Sequence, residues 1–300
     1  MFVLTKRKGG VWRYVSEISK ALKKKGVDVE ILSRDEDLKT NFFGSFLKLR
    51  KAIRRKKYDV LMAEDWSIAL PLLGTKNLFC TFNALSPNFP ANLLQKFVYI
   101  LLKDKVIVVS EYLKKFFPRA HVVEEGVNLD FFKPKRTNKK ARGFFLIGFA
   151  QNKQNPSYRY NLVKAAIEKM KGAKLVCTGG KLTDEEVVDF YNSLDAFISI
   201  PDGRAGFNLC WLEAMACNIP TIGNNHGIGE KLPIIKVPEP PTEEDIVKAI
   251  KKAMKIRKVN YREWIKKKGL TWERAAEEMM KVLKKFLKPD SGVEYVKKAK

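Results

Sequence analysis

Residues 201–230 read PDGRAGFNLCWLEAMACNIPTIGNNHGIGE, and the fold turns on how this stretch is parsed. The apolar run Ala196 to Ile200 just before it suits a strand. Asp202, Gly203 and Gly206 then make a turn, and Asn208 is a favourable N-cap for a helix over 209–217. Asn218 suits the left-handed residue that ends a helix, and Pro220 stops it from continuing. A buried strand and a second glycine turn complete the stretch. A strand, a glycine loop and a helix start bring backbone N–H groups to one point, where a phosphate can be bound. Glu213 lies in the first turns of that helix, within reach of the polar part of the same ligand. An ordinary strand–loop–helix connection with an exposed Glu accounts for these residues equally well, because short glycine loops are common.

Outward from this stretch the same alternation recurs. On its N-terminal side lie predicted strands at 143–149 and 174–178, a polar loop over 151–160 carrying Lys153 and Arg159, and helices at 162–171 and 184–193. A Gly179-Gly180 turn separates the second strand from the helix that Thr183 caps. Beyond Pro240-Pro241 the chain reads as three helices, 243–256, 261–268 and 272–288. At the other end, Phe2 to Thr5 is a buried strand and Lys6 to Gly10 a basic turn, followed by a helix over 11–25 and a strand over 27–32. Gly9 and Gly10 thus close the first strand of a βαβ unit, where doubly wound sheets bind ligands. Further strands are predicted near 58–62, 78–82, 106–109 and 121–124, with helices at 42–57, 93–102 and 111–116. The helix over 42–57 is apolar along Phe42, Phe46, Leu49 and Ile53 and basic elsewhere, so it packs on the sheet or lies on an anionic membrane. Two successive βαβ sets predict an α/β protein of two Rossmann-like doubly wound domains facing each other across a cleft. The Pro134 and Lys-rich segment divides them into 1–137 and 138–274, with a C-terminal helix over about 275–300 returning to the first.

Composition limits the partners. An apolar content of 45% in 300 residues is that of a globular chain with room for two cores. The net charge of +25 favours anionic partners such as nucleotide phosphates, acidic lipid surfaces or nucleic acid, although a solvated Lys-rich surface also explains it. Nucleic acid rests on charge alone, with no recognition helix or aromatic-basic strand motif, and is not expected. Cys80, Cys177, Cys210 and Cys217 have no paired spacing and read as buried thiols in a reducing compartment. No metal-ligand cluster and no bilayer-length apolar run stands out, so a cytoplasmic location is expected, with peripheral contact at the inner membrane face through Phe42 to Lys57.

GFNL, LEAMACNIPTI and GIGE together closely resemble the donor-sugar motif of the retaining GT-B glycosyltransferases of family 4. NSLDAFISIP is similar to the strand leading into that motif, VIVVSEYLKKFF and EEGVNLDFFKP to the end of the first domain, and GGVWRYVSEISKALKKKGVDVEIL to its first helix and second strand. Tyr58 to Asp65 and GLTWERAAEEMMKVLKKF match further segments, in order along nearly the whole chain.

The resemblance implies transfer of a sugar, of the hexosyltransferase class, from a nucleotide-diphosphate sugar to a glycan or lipid-linked acceptor, with no metal or other cofactor. In the family a Glu-x7-Glu pair flanks the loop and helix. Its second member, which holds the ribose, corresponds to Glu213, whereas the first falls on Ala205. Gly206, Phe207, Asn208 and Leu209 would line the diphosphate or sugar, Lys153 and Arg159 would neutralise the leaving diphosphate, and Gly9 and Gly10 would face the phosphates and acceptor. A family His in a Thr-x-His pattern corresponds to Asn83, which can hydrogen-bond a sugar but cannot transfer a proton. Asp202 is the nearest carboxylate before Ala205, so Asn83 and Asp202 are the candidates at the catalytic positions. The alternative implied by these replacements is a catalytically impaired GT-B relative that binds a nucleotide, a glycan or a partner protein.

Overall fold

The computed structural model describes residues 1–135, 143–179 and 182–287. The expected domain junction at 137, Gly180 of the predicted glycine turn, and the C-terminal residues beyond 287 lie outside them. The chain divides into two compact units, one formed by Met1–Glu124 with the chain from Trp272 onward, the other by Glu125–Thr271.

The first unit is a six-stranded parallel sheet. Its strands are β1 (Phe2–Leu4), β2 (Ile31–Ser33), β3 (Leu61–Glu64), β4 (Leu78–Phe82), β5 (Val106–Val108) and β6 (His121–Val122), in the order β2-β1-β3-β4-β5-β6. Runs such as FVL and LFCTF are buried along their whole length, as strands covered by helices on both faces must be. The helices are α1 (Gly9–Lys24), α2 (Phe42–Arg54), α3 (Trp66–Ala69), α4 (Ala91–Leu102), α5 (Glu111–Lys114) and α11 (Trp272–Lys284). Right-handed crossovers place α2 to α5 on one face and α1 on the other. Against α1 packs α11, through Tyr14 and Trp272 with ring centroids 6.1 Å apart and a Lys25–Glu277 ion pair at 2.8 Å.

The second unit is a five-stranded parallel sheet in the order β11-β10-β9-β7-β8. Its strands are β7 (Phe145–Phe149), β8 (Ala173–Cys177), β9 (Ala196–Ile198), β10 (Thr221–Gly223) and β11 (Ile235–Lys236). Helices α6 (Tyr160–Glu168), α7 (Asp184–Ser193), α8 (Leu209–Ala216), α9 (Glu243–Lys255) and α10 (Tyr261–Lys268) complete it. Ile147, Phe149, Val163, Ile167, Ile198, Ile222, Ile246 and Ile250 form its main core. Capping boxes at Thr183 with Glu186 and Thr242 with Asp245 start α7 and α9.

Several expectations shift. The second unit begins at Glu125 rather than 138, because the Val127 N–H donates to Leu270 O (3.1 Å) and Arg262 donates to Phe132 O (2.6 Å) and Leu129 O (3.0 Å). Gly9 and Gly10 open α1 instead of forming the turn before it. Helix α2 buries Ser45, Leu49 and Ile53, which leaves Phe46 partly exposed and Phe43 and Leu47 outward. Arg50 fixes this rotation by donating to Pro71 O and Leu73 O, 2.7 Å each. The short elements α3 and β11 have no clear periodicity in the sequence.

Candidate functional site

In the second unit the chain leaves β7 toward β8 on one side and later returns to β9 on the other, so the loops after β7 and β9 diverge at the C-terminal edge of the sheet. A parallel α/β sheet forms its ligand crevice at such a reversal. Here the two loops, with the turn after β10, are joined into one hydrogen-bonded rim. The Asp202 N–H donates to Ser157 O (2.7 Å), and Arg204 Nη2 donates to Ser157 Oγ (2.7 Å). Gln151, directly after β7, donates to Ser199 Oγ and reaches Asn208 Oδ1 and the Cys210 thiol. The Asn224 amide, fully buried, donates to Pro201 O (2.6 Å).

Asn208 occupies the N-cap position of α8, but in the left-handed region (φ 77°). Its side chain donates to Ser199 Oγ (3.0 Å) rather than capping the helix, which corrects the expected side-chain cap. Among the described residues no side chain caps α8, so its start presents backbone donors at the loop Gly206 to Leu209. That loop is backed by Gly227 (φ +57°), where a Cβ would lie 2.9 Å from Gly206 O and 3.0 Å from Ala205 O. Phe207 is buried beneath it.

Glu213 is buried on α8, not exposed, and its Oε2 accepts a hydrogen bond from the Tyr191 hydroxyl at 2.7 Å. Burial, then the charge of Glu213, push the Tyr191 phenol well above its ordinary range, so it stays a donor. The same two causes push up the Cys210 thiol. Arg159, left-handed at the start of α6 (φ 54°), makes a bidentate ion pair with Glu239 at 2.8 and 2.9 Å. Glu239 also accepts from Asn224 and lies 3.3 Å from His226 Nε2. Lys153 Nζ sits 5.3 Å from the centroid of the Tyr160 ring. Asp202 is bound by Arg204 through Nε (2.9 Å) and Nη2 (2.5 Å). Burial would raise its pKa, but the hydrogen bonds from Arg204 outweigh this and hold the carboxylate below its usual range. Sequence patterns did not single out Gln151, Ser157, Arg204, Asn224 or Glu239, since each acts through a contact between separate loops.

Gly9, Gly10 and Asn83 belong to the first unit, whose own reversal lies between β1 and β3. Asn83, just after β4, donates to Glu64 Oε2 at 3.3 Å, and Thr81 Oγ1 is 3.3 Å from Glu64 Oε1. Asn83 Oδ1 is buried and finds no hydrogen-bond partner among the described residues. Burial raises Glu64 to about 8, partly offset by Asn83 and Thr81. Asp65 (φ 88°) is raised by burial to about 6 although it accepts from the Trp66 N–H. This edge therefore carries a neutral acid at neutral pH, with an amide against it.

Among the described residues no group of His, Cys, Asp or Glu is placed to hold a metal ion. No helix among them is long and apolar enough to cross a membrane.

The two sheets define an α/β protein of the GT-B fold, shared with solved glycosyltransferase structures. Sucrose-phosphate synthase from Thermosynechococcus elongatus superposes with a TM-score of 0.77 at 16% identity, covering 95% of this chain and 98% of that one. A complex of HepE from Anabaena with UDP and glucose gives 0.74 at 13%, covering 94% and 98%. A glycosyltransferase from Rickettsia africae gives 0.66 at 18%, covering 96% and 99%. Within the sequence, residues 131–272 match the family described as glycosyl transferases group 1. No curated protein matches by sequence.

Proposed function

We propose that this protein is a retaining glycosyltransferase that takes a sugar from a nucleoside-diphosphate sugar and passes it to a glycan or lipid-linked acceptor at the cytoplasmic face of a membrane. The observation that carries the reading is the rim of the second unit: a glycine loop at the sheet reversal, an α8 start without a side-chain cap, and Glu213 oriented by Tyr191. HepE, of the same fold, binds UDP and glucose, and the match at residues 131–272 covers this rim. In this reading Glu213 accepts from the ribose hydroxyls, the amides around Gly206 to Leu209 hold the diphosphate, and Arg159 and Lys153 balance its charge. The bond from the anomeric carbon to the diphosphate oxygen breaks with its electrons going to the diphosphate. The acceptor hydroxyl oxygen then bonds that carbon from the same face and passes its proton to the departing diphosphate. Stabilising the leaving group is the main contribution of the protein, since Ala205 brings no carboxylate to the sugar.

Ala205 and Asn83 favour a second reading, a relative that binds the donor without transfer. Incubation with a panel of nucleoside-diphosphate sugars, with and without acceptor, separates the two. Release of nucleoside diphosphate and an α-configured product from an α-configured donor support transfer. A thermal shift with a donor but no release supports binding alone, and no shift with any donor overturns both.

A further inference from the structure

Helix α4 is apolar on its outer side as well as on the side that packs, where Leu94, Tyr99 and Leu102 are half-buried. The residues it buries are Gln95 and Val98, with Gln95 tied inward by hydrogen bonds to Ala84 O and from the Ser86 N–H, both 2.9 Å. Its outward arc holds Leu93, Phe97, Ile100 and Leu101, exposed by 52, 47, 65 and 48%. An apolar stripe ordinarily faces the core, and a contiguous exposed one marks a surface that something covers. Phe89, in the loop leading into α4, is 79% exposed, and on α2 Phe43 and Leu47 are each 80% exposed.

These groups lie on one layer. Right-handed crossovers put α2 to α5 on the same face of the first sheet. Helix α3 packs against α4, and the Leu70–Leu72 turn that follows it packs against α2. Tyr99 of α4 stacks edge-on with Phe117 (5.2 Å) and accepts from the Arg119 N–H, which ties on the α5 segment with its exposed Phe116. The charges around the apolar residues are basic. Lys48, Lys51, Arg54 and Lys96 are exposed, and neither α2 nor α4 contains an acidic residue. Asp104 is paired with Arg119, and Glu111 is the acid that faces outward beside Lys114 and Lys115.

We propose that this face docks on an anionic lipid bilayer, with α4 lying in the interface. Leu93, Phe97, Ile100 and Leu101 enter the acyl boundary while Lys96 and the basic residues of α2 meet the phosphate headgroups. Charge selects this occupant over a second copy of the chain. A two-fold dimer through the same face would set its basic rims against each other. The inference does not rest on the donor reading, and its test needs no turnover. The sequence points to lipid through its net charge and Phe42 to Lys57, and the structure adds the exposed apolar arc of α4.

The full chain is mixed with vesicles of phosphatidylcholine alone or with roughly one-third phosphatidylglycerol and separated by flotation. Partitioning at least about tenfold stronger on the anionic vesicles is expected, falling as salt rises. The double variant Phe97→Asp with Ile100→Asp is expected to lose at least about tenfold of that binding. Because both side chains point outward, its thermal unfolding should match that of the parent. The proposal is overturned if neither vesicle binds the parent chain, or if a correctly folded double variant binds as well as the parent. It is also overturned if light scattering finds a dimer that Phe97→Asp dissolves while vesicles take up nothing, which would assign the face to a second copy.

Discussion

The two sheets share one strand pattern, each reversing beside its first strand, yet their ligand-side edges differ in chemistry. In the second unit the edge is polar and charged: Arg159 meets Glu239, Arg204 meets Asp202, and Glu213 accepts from Tyr191. In the first the stretch after β3 and β4 holds Glu64 buried and protonated beside Asn83 and Asp65, while Arg7 and Asp37 pair at 2.7 Å after β1 and β2. A shared topology therefore fixes where a ligand can approach, while the side chains on the loops fix what it can be. An edge of paired ions and open helix amides suits a phosphate, whereas an edge that keeps a carboxyl neutral suits hydroxyls.

The strongest way to break this contrast is Glu213→Ala. If the second edge holds a nucleotide-sugar, the lost charged hydrogen bonds weaken donor affinity by about 2–3 kcal/mol, beyond roughly thirtyfold, read by calorimetry. Glu213→Gln keeps the shape beneath Tyr191 and should lose most of the same affinity, which separates binding from folding. Unaltered affinity in both variants would remove Glu213 from the site.

The first edge is tested by pH. Folded Glu64 holds its proton up to about 8, whereas the unfolded chain releases it near 4.5. Between these values the unfolded state binds fewer protons, so this residue makes stability fall as pH rises and leaves it level above about 8. Asp65 acts in the same sense but is finished near 6. Urea unfolding should therefore show a loss of about 2 kcal/mol between pH 6 and pH 8 that Glu64→Gln abolishes.

Gly227→Ala sharpens the comparison at the backbone. The new Cβ is both left-handed and set against Gly206 O and Ala205 O, so the loop Gly206 to Leu209 must shift. A cost of about 1–3 kcal/mol in stability is expected, together with weaker donor binding. Gly179→Ala, at φ +62° with nothing within 4 Å, is the control and should leave the loop Gly206 to Leu209 in place. The smallest effect belongs to Glu239→Gln. The Arg159–Glu239 pair is partly exposed, so its loss changes stability by only about 0–1 kcal/mol. Donor affinity should rise a few-fold as Arg159 is released, and Arg159→Ala should lower it.

Much of the fold was legible because buried parallel strands and amphipathic helices leave strong periodic marks. β4, α1, α9 and the strand ahead of Pro201 stand close to their predicted positions. Asn218 reads as the left-handed end of α8 and has φ +55°, since Gly and Asn tolerate that region most readily. The rim was less legible. Asn208 marked the helix start, but its side chain answers to Ser199, a partner that local sequence does not name. Asp202 read as a loose turn carboxylate and is fastened to Arg204 and Ser157. The periodic pattern of α2 identifies Leu49 and Ile53 on its buried face but also assigns Phe46 there, which is partly exposed, because Arg50 bonding to Pro71 and Leu73 sets the rotation.

By itself the sequence determined the alternation of strands and helices, the glycine loop before α8, and the absence of a carboxylate at position 205. These follow from local preferences and side-chain identity, which need no partner. Only the tertiary structure decided that Arg159 is held by Glu239, that Glu64 is neutral, and that α4 leaves Leu93, Phe97, Ile100 and Leu101 outward. Each depends on which surfaces the chain brings together, and so on burial and pairing between residues far apart along it.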